Sequence, residues 1–569
     1  MTFPILSRDG EIFLAIFLGI CYTIARKPKG STAMMTPTPV LAASQMKACD
    51  SYTIETLGIP SRVLMERAAR KAVAFLLERV DLYPDGKVLL LCGSGNNGGD
   101  GFAMGRFLTD GSMGGKRETV ILYTGRLNPD GTPDETRMSE ECGRQYRLAR
   151  EAGIPIRSAT DVTSELAEAA VIVDAIFGIG LDRPITGELA SLLSAVAESH
   201  LPVLAVDIPS GIHADTGAVM GVALPARATV TMQALKAGLM RYPGADFCGE
   251  ISVAKLGIDL TPAETPYATL SDEALLRWVL PPRGRRSHKG TYGTVTLLCG
   301  SEGMSGAAVL ATKAALRSGV GLARVLTPAC NRVVLQTSVP EAIVSVYETS
   351  EEAAEYAESD ALVLGCGLGT SELSREALRE VLDACPRDGS VPAVLDADGL
   401  NLLAKEPALW ETSLLTAPDR QAVITPHPAE MSRLSGLSVA EILSDPVSVA
   451  VDFARKRGVT VVLKDAHTVI ASPEGQIFIC AAGNAGMAKG GSGDALAGII
   501  GALLAQSRHR LGCDLTAAEV AAAGVYLHAR AGDLTAEALG EYGMLASDLI
   551  ERIPLVCKGF SDSRTRLYF

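Results

Sequence analysis

Residues 87–108 read KVLLLCGSGNNGGDGFAMGRFL. Lys87 to Cys92 is a short apolar run without polar alternation, the pattern of a strand buried on both faces. Glycines crowd the next nine positions, and Phe102 to Leu108 then opens a helix. A glycine-rich turn between strand and helix lets backbone N–H groups approach a phosphate, with the helix dipole adding to the attraction. The spacing is not GxGxxG. A ligand-free tight turn is the alternative, but Asn96, Asn97 and Asp100 among the glycines go beyond what a turn needs.

Working outward, the same alternation of short apolar strands and helical stretches recurs, which points to parallel βαβ units and a doubly wound α/β architecture. AVIVDAIFGIG (170–180) puts Asp174 at a strand end, ahead of a loop running from Gly178 to Pro184. LPVLAVDIPSG (201–211) puts Asp207 and Ser210 at another. Ligands of open parallel sheets bind outside the carboxyl ends of strands. Three such ends with oxygen-bearing side chains therefore predict one site. Asn97, Asp174 and Ser210 offer hard oxygen donors for an alkali or alkaline-earth ion. A lone Asp at a strand end is more often a helix cap.

The second half repeats the alternation with different glycine signatures. YGTVTLLCGSEGMSGAAVLATKAALRSGVGLARV (292–325) reads strand, glycine loop, small-residue helix, and DALVLGCGLG (360–369) reads strand and loop. AVLDADGLNLL, AVITPHPAEMSRL and VTVVLKDAHTVI add three strands with polar ends. GNAGMAKGGSGDALAGIIGALLA (483–505) carries the chemistry. Gly490, Gly491, Ser492 and Gly493 would present amides at a helix N-terminus, an anion hole for a phosphoryl group in transfer. Asp494 follows, where a carboxylate can take a proton from an attacking hydroxyl. An N-cap Asp is the plain alternative. Lys464, at a strand end, suits nucleotide phosphates, with a solvated lysine as the alternative, and His427 sits in a loop held by two prolines, where alone it would read as an ordinary loop histidine.

Of 569 residues, 47% are hydrophobic and 21% charged, enough for large cores and against disorder. With 65 acidic and 52 basic side chains the net charge is −13, which does not favour a broad nucleic-acid surface. The 12 cysteines show no CxxC or zinc spacing, as expected for reduced core thiols in a cytoplasmic protein. Residues 12–25, IFLAIFLGICYTIA, are too short an apolar run to span a bilayer. We expect residues 1–33 to be an extension ahead of a start at Met34 or Met35, with a weak anchor as the alternative. Further expected boundaries are a first domain at 40–260, a Pro- and charge-rich linker at 261–282, a second domain at 283–557 and a loose tail at 558–569.

GSGNNGGDGF, VDAIFGIGL and VDIPSGIHADTG, with AASQMKACDSYTIETLGIPSRVLMERAA and TVTMQALKAGL, resemble the NAD(P)H-hydrate epimerase domain. HKGTYG, GMSGAA, GCGLG, LDADGLN, TPHPAE, LKDAHT and GNAGMAKGGSGD resemble, in the same order, the ADP- or ATP-dependent NAD(P)H-hydrate dehydratase of ribokinase-like fold. The resemblance implies a Rossmann-like epimerase domain fused to a ribokinase-like dehydratase domain. It further implies that Asn96, Asn97, Gly98, Gly99 and Asp100 hold the hydrated nicotinamide nucleotide. Gly178, Ile179, Gly180, Leu181, Asp182, Arg183 and Pro184 would do so too, with Asp207 as acid/base and Asn97, Asp174 and Ser210 on potassium. In the second domain it implies Ala307, Gly367, Gly369, His427 and Asp494 at the hydrate, with Asp494 catalytic. Lys464, Asp465, Ala466, His467, Thr468, Asn484 and Gly490 to Gly493 would line the nucleotide, which carries Mg²⁺. It implies a homo-oligomer, with NADHX or NADPHX and ADP or ATP as its small-molecule partners; the acidic balance and the short apolar run separately weigh against nucleic acid and membrane. The chain departs from the pattern at Arg67, at Asp465 and His467 in place of glycines, and at KGGSGD (489–494), where the family often has SGGMGD. A ribokinase-like kinase carrying a non-catalytic first module is the competing reading; it would retain the phosphate on its product.

Overall fold

The first half folds around seven parallel strands. In spatial order they are Ile156–Ser158, Thr119–Tyr123, Lys87–Cys92, Ala169–Ala175, Val203–Val206, Ala228–Met232 and Glu250–Ala254. Strand pleating divides the buried side chains between two layers. Val88, Leu90 and Cys92 join a core with helices Ser61–Glu78, Asn96–Asp110 and Glu140–Glu151, while Leu89 and Leu91 face helix Gly187–Glu198. Strand order reverses between Lys87–Cys92 and Ala169–Ala175. That is the switch point at which a doubly wound sheet opens a crevice.

The computed structural model describes residues 38–159, 162–280, 282–509 and 514–560. The expected extension 1–33 lies outside them. The described residues form one compact unit.

The second sheet begins as a second doubly wound array. Its parallel strands are, in order, Ile343–Tyr347, Leu322–Pro328, Thr294–Leu298, Ala361–Leu364, Ala393–Leu395, Ala422–Ile424 and Thr460–Leu463. Helices Ser305–Arg317, Ser492–Arg508 and Ala517–Leu539 cover one face; Glu372–Ala384 and Pro446–Arg457 cover the other. The small residues of Ser492–Arg508 allow intimate packing. A Cβ on Gly498 would stand 2.1 Å from the Ala311 carbonyl oxygen.

The sheet does not stop at the second domain. Beyond Thr468–Ala471 and Ile477–Cys480 it continues through Ala268–Leu270, Pro39–Leu41 and Leu235–Lys236. Two strands from the first half thus complete the edge of the second half's sheet. Residues 261–282 are not the linker their Pro and charge content suggested. They carry strand Ala268–Leu270 and helix Glu273–Val279, whose Leu275, Leu276 and Val279 enter the second core. At the expected tail, Phe560 is buried under the Arg277 guanidinium, 4.3 Å from its ring centre, and residues 561–569 lie outside the described ones.

Eight of the ten described cysteines are buried and all ten are free thiols. No helix among the described residues is long and apolar enough to cross a membrane.

Candidate active sites

At the first switch point the strand-end loops interlock. Gly93 and Gly98 are required there by close backbone approach. A Cβ on Gly98 would stand 1.9 Å from the Gly93 oxygen, and one on Gly93 2.3 Å from that of Ile176. This seats helix Asn96–Asp110 against the loop after Ala169–Ala175. Asn97 Nδ2 donates to the Phe177 oxygen at 2.9 Å, and the Phe177 N–H donates to Ser210 Oγ at 3.0 Å. Ser210 donates to both oxygens of Asp174, through its hydroxyl at 2.6 Å and its amide at 2.7 Å. The three residues expected at a cation therefore sit together. Asp174 is fully buried and makes no ion pair among the described residues, and burial pushes its carboxyl up to about 6. A buried carboxylate without a cationic partner among the described residues, beside amide and hydroxyl oxygens, offers hard oxygen donors to a cation.

Asp207 ends strand Val203–Val206 in the left-handed region, at φ 70°, which Asp tolerates better than most residues. The turn aims its carboxylate across the sheet end. Oδ1 accepts from Lys236 Nζ at 2.5 Å, the Met232 amide at 3.1 Å and Thr231 Oγ1 at 3.4 Å. Oδ2 faces the Gly178 backbone, 3.0 Å from where a Cβ would stand. Asp100 is buried nearby, its carboxyl raised well above the usual range by burial and then by Asp207. Asn97, Asp100, Gly178 and Asp207 thus converge. Asn96 lies at the rim and accepts from Ser139 Oγ at 2.7 Å. Leu181 is buried in the core with Ile176 and Ile185, so only its backbone can meet a ligand, whereas Asp182, Arg183 and Pro184 are exposed.

Sequence reasoning missed Lys236. It is 1% exposed and also donates to the Met232 oxygen at 2.6 Å. In a sequence it reads as a solvated lysine; its apolar setting in MQALKAGL was the available signal.

The second site lies at the corresponding ends of the second sheet. Ala307 and Gly367 meet, a Cβ on Gly367 falling 2.7 Å from that of Ala307. Gly369 N donates to Asp398 Oδ2 at 2.8 Å. Between Asp396 and Asp398, Ala397 holds φ 50°, ψ −114°, a strained conformation for a residue with a Cβ. Lys464 Nζ donates to Asp396 Oδ1 at 2.9 Å and lies 3.8 Å from Glu430. Thr425 Oγ1 donates to that same Asp396 oxygen at 2.8 Å. His427 caps helix Pro428–Ser435, its amide donating to Glu430 Oε2 at 2.8 Å; burial and then Lys464 lower its imidazole. Asp494 stands in the first turn of Ser492–Arg508, raised to about 6 by burial and then by Asp396. A Cβ on Gly493 would lie 3.4 Å from Lys464 Nζ and 3.6 Å from Asp396 Oδ2. The glycine turn, Lys464 and the acids therefore share one pocket, and Asp396 and Glu430 are the residues sequence reasoning did not single out.

Other expected nucleotide residues are placed differently. Asn484 caps the Ala485–Met487 turn and donates to Asp533 Oδ1 at 3.1 Å. His467 turns towards the first half, where its Nδ1 contacts the Met240 oxygen at 2.9 Å and its ring lies 4.9 Å from that of Tyr242. Since a carbonyl only accepts, Nδ1 carries the proton. Asp465 and Ala466 are exposed, and the Thr468 hydroxyl donates to the Asp465 oxygen at 3.3 Å. Arg67 donates to the Leu256 oxygen at 2.8 Å.

Comparison with known proteins matches both halves. Residues 295–555 match the family model described as NAD(P)H-hydrate dehydratase, and residues 61–238 the model described as YjeF-related protein N-terminus. The bifunctional NAD(P)H-hydrate repair enzyme of Moorella thermoacetica is 35% identical, over 92% of this chain and 97% of that protein. The one from Escherichia coli is 37% identical, over 91% and 93%. Among solved structures, the ADP/ATP-dependent NAD(P)H-hydrate dehydratase of Bacillus subtilis, co-crystallised with ATP/Mg²⁺, shares 33% identity at a TM-score of 0.45, covering 51% of this chain and 98% of that one. With relatives matching across both sites and more than nine-tenths of its length, the chain belongs to the family of bifunctional NAD(P)H-hydrate repair enzymes.

Proposed function

We propose that the two sites act in series on C6-hydrated NADH or NADPH, the first interconverting the R and S forms and the second dehydrating the S form. The observation that carries this reading is that each sheet end sets a carboxylate beside a glycine turn and a lysine: buried Asp207, paired with Lys236 and facing Gly178, in one, and half-buried Asp494, in the first turn of Ser492–Arg508 near Lys464 and Asp396, in the other.

In the first site Asp207 Oδ2 serves as the proton donor and acceptor at the C6 hydroxyl, while Lys236 holds Oδ1. The Asn96 to Asp100 turn and the Gly178 to Pro184 loop bind the nucleotide around it. Asn97, Asp174 and Ser210 would hold potassium, which would supply a positive charge beside the buried Asp174 carboxylate.

In the second site the hydroxide at C6 is a poor leaving group. Asp494 takes the hydroxyl proton as that oxygen attacks the terminal phosphoryl of ADP or ATP. The amides of Gly490 to Gly493 and Lys464 meet the charge in transfer. Phosphate then departs, expelled by the ring-nitrogen lone pair, and loss of a C5 proton restores NADH or NADPH. AMP or ADP remains. Mg²⁺, brought with the nucleotide, would shield the charge of its phosphates, and Asp396, whose Oδ2 lies beside Gly493, is an acidic group that would hold it. Ala307, Gly367, Gly369 and His427 line the hydrate.

The reading includes a homo-oligomer in the cytoplasm, to which the free buried thiols are suited. The test is recovery of nicotinamide absorbance from mixed epimers, with ADP and ATP supplied separately. Recovery of both epimers with phosphate release is expected. A phosphorylated product that accumulates would overturn the dehydratase assignment.

A further inference from the structure

The dehydratase site holds a thiol that the reaction above does not use. Cys366 stands two residues beyond strand Ala361–Leu364 and is fully buried. Its Sγ, one Asp396 oxygen and one Asp494 oxygen all lie within 4.8 Å of one another. Asp396 is 2% exposed, and Lys464 and Thr425 both bind its Oδ1. Its Oδ2 takes no hydrogen bond among the described residues and faces Gly493, 3.6 Å from where a Cβ would stand. A carboxylate oxygen that takes no hydrogen bond among the described residues, set close to a second carboxylate and a thiol, is a place for a cation.

Donors around a tetrahedral zinc-sized ion sit about 3.5 Å apart, so side-chain rotations of about 1 Å close this set. A thiolate among the donors selects a borderline or soft ion over magnesium. We propose that Cys366, Asp396 and Asp494 form a site for a thiophilic divalent cation of the zinc class, whose occupancy stops dehydration by engaging the carboxylate that receives the substrate's proton. Cys366 binds as the thiolate and its proton leaves to solvent. The Lys464 ammonium beside Asp396 opposes a second cation, which makes the ion exchangeable rather than structural. The inhibitory consequence rests on the role of Asp494 proposed above; the metal site itself does not.

The test uses the full chain freed of metal by chelation. Co²⁺ serves as the spectroscopic probe and Zn²⁺ as the inhibitor, with Mg²⁺–nucleotide in excess. One equivalent of Co²⁺ should give a sulfur-to-cobalt charge-transfer band in the near ultraviolet that is lost in Cys366→Ser. Near-stoichiometric Zn²⁺ should halt dehydration of the S epimer, and chelator should restore it. Cys366→Ser should need at least about tenfold more Zn²⁺ for the same inhibition. Cobalt bound without a Cys366-dependent band, or equal zinc sensitivity in the variant, would overturn the proposal. If the metal-free chain does not dehydrate at all, the reaction assignment fails, and the cobalt band alone still upholds or overturns the site.

Discussion

Replacing Lys236 by Met removes the cation from Asp207 and keeps most of the side-chain volume. The Lys236–Asp207 pair is 2.5 Å long with side chains 1% and 12% exposed. At an effective dielectric of about 20, its gross attraction is about 7 kcal/mol. Desolvation offsets part of that, and deleting one partner of a buried pair costs about 3–5 kcal/mol. Among the described residues the orphaned Asp207 keeps only the Met232 amide and Thr231 hydroxyl on Oδ1. Its carboxylate should lose both its orientation and its capacity to cycle a proton, slowing epimerisation by about 10²-fold or more. Mixed epimers supplied with ADP and Mg²⁺ report this in one trace. Recovery of the S share should proceed, followed by a much slower phase for the R share. The double variant Asp207→Asn, Lys236→Met should regain most of the lost stability, because no buried charge is left unpaired, yet remain inactive in the slow phase. A slow phase at the parent rate in Lys236→Met would refute the reasoning and reduce Lys236 to a packing element.

Asp494→Asn should slow dehydration by about 10²–10⁴-fold while epimerisation, followed by chromatographic separation of the hydrates, continues. Because Asp494 must be unprotonated to accept a proton and titrates near 6, the dehydration rate should fall about tenfold per unit of pH below that value; a flat profile down to pH 5 would exclude it as the base. Gly98→Ala forces a Cβ to 1.9 Å from the Gly93 oxygen and should cost about 1–3 kcal/mol or more in a denaturation series. Ala397→Gly relieves a backbone strain of about 1–3 kcal/mol, so it should stabilise the chain, opposite to the usual effect of Ala→Gly, while loosening Asp396 and Asp398 and slowing dehydration.

Sequence made both switch points legible because their determinants are local. Lys87 to Cys92 is apolar throughout, glycines follow at once, and the ends at Asp174, Asp207 and Asp494 fall where strand or loop gives way to the next element. Such signals lie within a few residues of one another and survive in a one-dimensional reading. The linker was misread for a related reason. Its apolar positions Leu270, Leu275, Leu276 and Val279 are few and set among prolines and charges, so their burial depended on partners hundreds of residues away.

The sequence by itself therefore determined two doubly wound domains, their glycine turns and the acids beside them, because hydrophobic periodicity and turn chemistry are properties of neighbours along the chain. The tertiary structure alone decided which charges meet. Lys236 reaches Asp207 across 29 residues, Lys464 reaches Asp396 across 68, and His467 reaches the Met240 carbonyl across 227. It also decided that the two- and three-residue strands Leu235–Lys236 and Pro39–Leu41 extend the second sheet. Strands that short carry no periodicity, and a buried lysine is written with the same letter as a solvated one; only the packing that removes water from it reveals its partner.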